Sequence, residues 1–543
     1  MTRQLDHRNQ GAWGLSWVRP RSAAKVLIVT LATVAACGGS AGGPGGPSGN
    51  GGGFSGGPSG SAGTGGSGGK PPEKDVASSY GAPVATGKYV WIANPSSGRV
   101  AYIDAATLAI KLVDAGNGPT YVAAVPDATD DVAIVLNVLS FDATILRASS
   151  KGLSATSVAV PSSGNAWAVS PDGHWAIAWT DARKVTMADP VQGYQDLTVV
   201  DLTKGAEGSA DLTVGYRPVA VAFDEAAQRA FAVTQDGISV IALTGGPPAV
   251  IKNINLGDTM AEPATSRDVS ITPDGAYGVV RRDGKSSVDL YALADGTHAV
   301  VPLPGAATDV DLSADGATAV AVVRDTSQVV RMPIPGVVAD PASALVVTIA
   351  SAIGSVSLAT KSPTAFFYTN ATPSDVLAVM DTSAPLPSPR ALLMRAPILA
   401  VFPTPDAAHA VILHDALDTA SSHYPAAVSL APIALDLPPK IVGLDAPVIS
   451  IAIAPAGDHA LVAAGDEKSG IYELLLASMP SLQVRKLPLA SLPIAAGIVA
   501  GAGRGYVAQK HPDGRITFVK LETGEARTIT GFELSTQVVD GSQ

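Results

Sequence analysis

The chain has 543 residues, is 46% hydrophobic but only 5% aromatic, and carries a formal net charge of −11. A chain of this length holds several domains or one large repeat array. Its acidity excludes a nucleic-acid partner, whose phosphates demand a basic face, and a polybasic grip on an anionic bilayer. The mean hydropathy is high, +0.26. No apolar run beyond the N-terminus approaches the roughly 20 residues of a membrane helix. The apolar residues are therefore expected in many short strands buried on both faces. The single cysteine, Cys37, excludes intrachain disulfides, a cysteine zinc cluster and covalent c-type haem.

Taken in chain order, residues 1–36 carry five basic side chains (Arg3, Arg8, Arg19, Arg21, Lys25) and one acid, Asp6. Without them the balance is 31 basic against 46 acidic residues, a net of −15. The short apolar segment Val26–Ala36 then ends in small residues, which is the layout of a secretory signal and too short for a span. Val34-Ala35-Ala36-Cys37 resembles the lipobox of bacterial lipoproteins. That resemblance implies cleavage before Cys37 and its modification with diacylglyceryl and N-acyl chains. Several acyl chains, at about 0.8 kcal/mol per buried methylene, make anchoring durable. The residue after the cysteine is Gly38 rather than an inner-membrane-retaining aspartate, so the resemblance implies export to the outer membrane, on its periplasmic side or at the cell surface.

Residues 37–79 are predicted to be a flexible tether. Gly38–Lys70 is almost wholly Gly, Ser, Pro and Ala, and as a Gly-rich coil it would span roughly 30 Å end to end. Gly53-Phe54-Ser55-Gly56-Gly57 fits the G-x-S-x-G pattern, but a nucleophile elbow needs a strand before it and a helix after it. In low-complexity sequence the match is accidental.

From residue 80 onwards one unit recurs. In Ser266–Leu303 the alternating Val269 and Ile271 lead to a Pro273-Asp274-Gly275 turn. The apolar run Tyr277–Arg281, an Asp283-Gly284 hairpin signal, Val288–Leu293 and His298–Leu303 follow. Short alternating runs between such turns predict a four-stranded antiparallel meander. Equivalent turns occur at Pro126-Asp127, Pro171-Asp172-Gly173, Phe223-Asp224, Ala314-Asp315-Gly316, Pro405-Asp406 and Pro455-Ala456-Gly457. Their spacing is that of propeller blades. The predicted class is therefore an all-β propeller over 80–543, with about ten sheet modules arranged as a single large ring, a smaller ring with extra sheets, or two packed rings. The first module lacks an inner strand, and Phe532–Val539 is expected to supply it, closing the ring by joining the chain ends. A transmembrane barrel explains neither the period nor the N-terminus.

Tyr89-Val90-Trp91-Ile92-Ala93-Asn94 with Arg99–Asp104 resembles the YVTN repeat of secreted bacterial propellers. The Ser/Thr-Pro-Asp-Gly turns at 170–173 and 272–275 are similar to those of that family and of periplasmic, WD40-like propellers. Such propellers host many functions. The resemblance implies the fold and leaves two readings open. One is a non-enzymatic module binding an envelope protein or glycan. The other is a channel-mouth enzyme of lactonase or quinone-dependent dehydrogenase type.

The Pro-Asp-Gly turns are expected on the structural face, with function on the opposite loops. The candidate loops are Asp181–Asp196 after Trp179, Asp258–Arg267 and His414–Tyr424. The candidate binding residues are Trp179, Asp181, Tyr194, Arg217, Arg267, Asp268, Asp309 and His414. Arg217, Arg267, Asp268 and Asp309 would either bind a polar ligand or pair across blades. His409, His414 and His423 do not have the i, i+4 spacing of a helical zinc pair and are expected to be solvated. Asp127, Asp130 and Asp131 are read as a solvated turn without calcium-loop order. No catalytic set, metal or cofactor is indicated, and no catalytic residue can be carried over from the resembling families.

Overall fold

A computed structural model describes residues 82–126, 129–150, 152–161, 163–185, 192–257, 267–433, 437–532 and 538–540. The predicted signal, Cys37 and the tether lie outside them. Ten antiparallel sheets of four or five strands follow one another along the described residues, each ordered from an inner strand outwards, and a separate two-stranded ladder, Leu417–Asp418 with His423–Tyr424, is inserted in the blade 8 loop. Blade 5 shows the plan: Arg267–Ile271, Tyr277–Arg282, Ser287–Ala292 and His298–Pro302, as its alternation predicts. The inner strands are Val84–Ala85, Pro119–Val125, Ala166–Val169, Pro218–Phe223, Arg267–Ile271, Asp309–Leu312, Ser355–Leu358, Ile398–Pro403, Val448–Ile453 and Pro493–Val499.

Neighbouring blades share an apolar layer, and following these layers shows how the sheets are arranged. Trp91 and Tyr102 of blade 1 meet Val135 and Leu146 of blade 2. Similar layers join each pair in turn up to blades 9 and 10. A tenth layer packs Val90 and Ile92 of blade 1 against Val499 and Phe518 of blade 10. The cycle is complete, so the protein is a single ring of ten blades. Second strands such as Trp175–Trp179 are buried on both faces, which is why they read as continuous apolar runs. Each fully buried Val, Leu, Ile or Phe contributes about 1.5–3 kcal/mol.

Closure differs from the expectation. Blade 1 takes its inner strand from Val84–Ala85, paired with Val90 and Trp91. The C-terminal strand Val538–Asp540 instead adds a fifth, outermost strand to blade 10, beside Ala526–Thr530. The ring closes by side-chain packing, not by strand exchange. The difference arises because alternation identifies a strand but not its partner, and Val84–Ala85 is only two residues long.

The repeated turns bind the opposite face together. Hydroxyls of Ser170, Thr272, Ser313 and Thr404 each donate to the aspartate two residues on, at 2.5–2.6 Å. That carboxylate accepts the amide two residues further along. Gly173, at φ +73°, is fixed by more than its dihedral, because a Cβ there would lie 1.6 Å from the Pro126 carbonyl oxygen. Each turn leans on the preceding blade's turn, and these residues are structural.

Candidate functional site

Strand alternation puts the links between blades and the links between second and third strands at one end of the ring, the loop face. The sequence candidates fall there in three separate groups. Trp179, Asp181, Tyr194 and Arg217 meet where blades 3 and 4 join. Arg267, Asp268 and Asp309 lie on blades 5 and 6, and His414 on blade 8.

The first group is the most elaborated. Asn165, in the link from blade 2, grips the backbone of Asp181. Its Oδ1 accepts the Asp181 amide (2.7 Å), and its Nδ2 donates to the Asp181 carbonyl (3.1 Å). Asp181 is buried and caps the short 3-10 turn Ala182–Lys184, accepting Arg183 N at 3.1 Å. The Arg183 guanidinium grips the same carboxylate through Nε and Nη2, both 2.8 Å, and Nη2 also donates to the Val219 carbonyl (2.7 Å) on blade 4's inner strand. The turn is thus tied to the inner strand of blade 4. The Lys184 ammonium reaches water, yet enough protein surrounds it to push its pKa below the ordinary lysine value through desolvation. No hydrogen bond holds its Nζ among the described residues. Trp179 is 5% exposed, and its indole N–H finds no acceptor among the described residues.

Residues 192–195 dock on the link into blade 4. The Arg217 amide donates to Gly193 O (2.7 Å) and its Nε to Gln192 O (3.2 Å). The Arg217 guanidinium lies 5.2 Å from the Tyr216 ring centroid. Tyr194 and Arg217 both hold left-handed backbone, φ +47° and +49°, a conformation uncommon for such side chains and held only where surroundings dictate it.

No family model matches the chain, and no curated protein matches it. Similar solved structures include a eukaryotic initiation factor, 12% identical with a TM-score of 0.48, covering 76% of this chain and 97% of that one. The dihydro-haem d1 dehydrogenase NirN, in complex with DHE, is 12% identical with a TM-score of 0.40, covering 66% and 72%. The WD40 repeats of RRP9 are 11% identical with a TM-score of 0.33, covering 53% and 86%. At such identities and scores these likenesses assign no activity.

The second group is tied into the ring's own hydrogen bonds. Arg267, 7% exposed, donates from Nη2 to Gln235 O (2.8 Å) and to Thr234 O of blade 4. Asp268 accepts Arg281 Nε (2.8 Å) and Nη2 (2.6 Å), and Arg281 also reaches Asp283 and the Ala307 carbonyl. Asp309 bridges to blade 7 through Val356 N (2.9 Å). The rest of loop 258–267 lies outside the described residues.

His414 corrects an expectation. It is fully buried, not solvated, with Nδ1 3.0 Å from Pro397 O and Nε2 2.7 Å from Ser429 Oγ. The carbonyl can only accept, so Nδ1 carries the proton and Nε2 accepts from Ser429. Burial lowers its pKa, and both nitrogens are satisfied by the fold. His423 is exposed beside Asp418 (2.6 Å). The acidic turn is also less free than expected: Asp130 meets Lys204 (2.7 Å), and Asp131 accepts Lys88 N (2.9 Å). Among the described residues no three His, Cys, Asp or Glu side chains are placed to hold a metal ion.

Sequence reasoning included Arg183 and Lys184 only within the Asp181–Asp196 loop and missed Asn165 and the turn Asn137–Asp142 of blade 2, where Leu139 is 69% and Phe141 49% exposed. Two large apolar residues flanking Ser140 in a loop were the available signal.

Proposed function

We propose that the chain is a lipid-anchored cell-envelope propeller acting as a non-enzymatic binding module, its loop face over blades 2–4 serving a partner. The observation that carries this reading is the sector around Asp181, where the link from blade 2, the blade 3 loop and the link into blade 4 are braced together by Asn165, Arg183 and Arg217. Such bracing preorganises a surface for binding. The lipobox-like Val34–Cys37 and the Gly-rich segment after it support a tethered ring free to turn that face towards a partner.

Two measurements test it. Cys37→Ala should move the protein from the membrane to the soluble fraction, and continued membrane fractionation would reject the anchor. A photo-crosslinking residue at Leu139, on the loop face, should give discrete adducts in cell envelopes. The same residue at exposed Thr203, on the turn face, should not. Equal adducts from both faces, or none from Leu139, would reject the binding face.

A further inference from the structure

We propose that a cleft on the turn face, where blade 10 meets blade 1, binds the carboxylate of a small organic acid. The site stands apart from the loop face and does not depend on the binding-module reading. The cleft holds about 270 Å³, between Ala106 of blade 1 and Ala502–Arg504, Lys520, Glu522 and Thr523 of blade 10. That is below the roughly 300 Å³ at which drug-sized sites begin, so it admits a small molecule and not a folded partner.

Strand register makes the cleft cationic. Arg504 opens the second strand of blade 10 and stands directly opposite Lys520, the last residue of the third. Directly opposed residues share a face of the sheet, and like charges placed so are destabilising. This face looks to blade 1, because Tyr506 and Phe518, two residues away on each strand, belong to the layer that closes the ring. Lys520 is answered by Glu525 Oε2 (2.5 Å). Arg504 is half-buried and makes no hydrogen bond or ion pair among the described residues.

The equivalent arginine of blade 4 has the partner that Arg504 lacks. Arg229 also opens a second strand, and its Nε donates to Asp224 (3.0 Å), whose amide bonds to Arg229 O (3.1 Å). In blade 10 the residue paired with Arg504 at this place is Val499. The other carboxylate of these turns, Asp274 in blade 5 or Asp315 in blade 6, has Gly501 as its counterpart. A Cβ on Gly501 would lie 2.6 Å from Gly87 O of blade 1. Blade 10 thus keeps the arginine without its acid.

Most other charges nearby are committed. Glu525 also holds Arg527 (3.2 Å), Arg485 donates to Thr523 O, and Asp104 accepts the Ala106 and Thr107 amides (2.9 and 2.8 Å). Lys88 is exposed beside Gly87, and Glu522 is exposed and unpaired among the described residues. A guanidinium fork takes a carboxylate through two parallel hydrogen bonds. With Glu522 lining the same cleft, a single negative charge is favoured over a doubly charged phosphate.

The test titrates the full chain with butyrate, inorganic phosphate and n-butylammonium at constant ionic strength, read by ligand-observed NMR and thermal unfolding. Butyrate should bind saturably and raise the unfolding midpoint, because a ligand bound only to the closed ring stabilises it. Arg504→Gln should weaken butyrate binding at least about tenfold and abolish that rise. Its own midpoint should not fall, since the change removes one of two opposed like charges. Glu522→Gln should tighten butyrate binding. The proposal is overturned if butyrate does not saturate, or if Arg504→Gln binds it like the parent protein. It is equally overturned if binding is lost only with a lowered midpoint, or if phosphate or the amine binds more tightly.

Discussion

The Asp309 carboxylate, on the inner strand of blade 6, accepts the backbone N–H of Val356 on the inner strand of blade 7 at 2.9 Å. Two residues along, Asp311 does the same for Leu358 N at 3.0 Å, and each aspartate also accepts the amide of the residue after it. An inner strand has one unpaired edge, and a buried amide without an acceptor costs about 1–3 kcal/mol. Asp309→Ala should therefore lower stability by about 1–3 kcal/mol, read from thermal or denaturant unfolding. An unchanged midpoint would remove this pair from the ring's supports and return Asp309 to the candidates for ligand binding.

Gly173 offers a sharper steric test. A methyl at this position would sit 1.6 Å from the Pro126 carbonyl oxygen, at φ +73°. Gly173→Ala must move the backbone of blade 2's turn and should cost more than the roughly 1–2 kcal/mol of a left-handed alanine alone. The blade 8 counterpart, Ala407, already holds φ +57° with its methyl buried. Ala407→Gly relieves strain of about 1–2 kcal/mol but loses about 0.8 kcal/mol of burial and orders a glycine, so its net effect should be close to zero. Similar losses for both variants would mean that the turn-to-turn contact contributes little.

Blade architecture was legible because two signals coincide: alternation gives the strands, and the Ser/Thr-Pro-Asp-Gly turns give their period. Blade number and single-ring closure depend on which faces meet, as with Val90 against Phe518, and no local pattern encodes that. His414 was misread because counting along one strand ignores register. It pairs with Ile398 at the start of an inner strand, as Asn137 pairs with Pro119 and Gln509 with Pro493. All three are polar, at most 2% exposed, and bonded to a hydroxyl on the third strand: Ser429, Thr144 and Thr517. That recurrence was visible in the repeats once aligned by strand end rather than by turn.

The buried His414 predicts a pH dependence. Burial lowers its folded pKa below the unfolded value of about 6.5. The unfolded chain then binds the proton more readily, so this contribution is complete above about pH 6.5 and is lost as pH falls towards the folded pKa. His409, half-buried, shifts in the same direction. Unfolding measured from pH 7.5 to 5 should show a loss of stability on the acid side that is smaller in His414→Gln. A variant with an unaltered pH profile would exclude His414 as its source.

The corrected closure can be tested by truncation. Removing everything after Phe532 deletes the fifth strand of blade 10 but keeps the layer of Val90, Ile92, Val499, Phe518 and Phe532. It also keeps the Tyr506 hydroxyl's bond to Pro83 O (3.4 Å). The truncated ring should unfold in one cooperative transition within a few degrees of the full chain. A split or strongly lowered transition would indicate closure through the C-terminus instead.

The last prediction separates structural from binding carboxylates on the loop face. Asp268 and Arg281 are paired at 2.6 Å with side chains 22% and 10% exposed, and Arg281 cannot leave its site without also abandoning Ala307 O. Asp268→Ala strands a largely buried guanidinium. The loss should reach about 2–3 kcal/mol, below the 3–5 kcal/mol of a fully enclosed pair because water reaches the aspartate and Asp283 remains. Asp114→Ala, at a pair with Arg99 of 3.5 Å and side chains 93% and 45% exposed, should leave the midpoint unchanged. If Asp268→Ala leaves stability intact while Asp309→Ala does not, the Asp268–Arg281 pair is dispensable to the ring, and blade 5 joins blades 2–4 as a place to look for a partner.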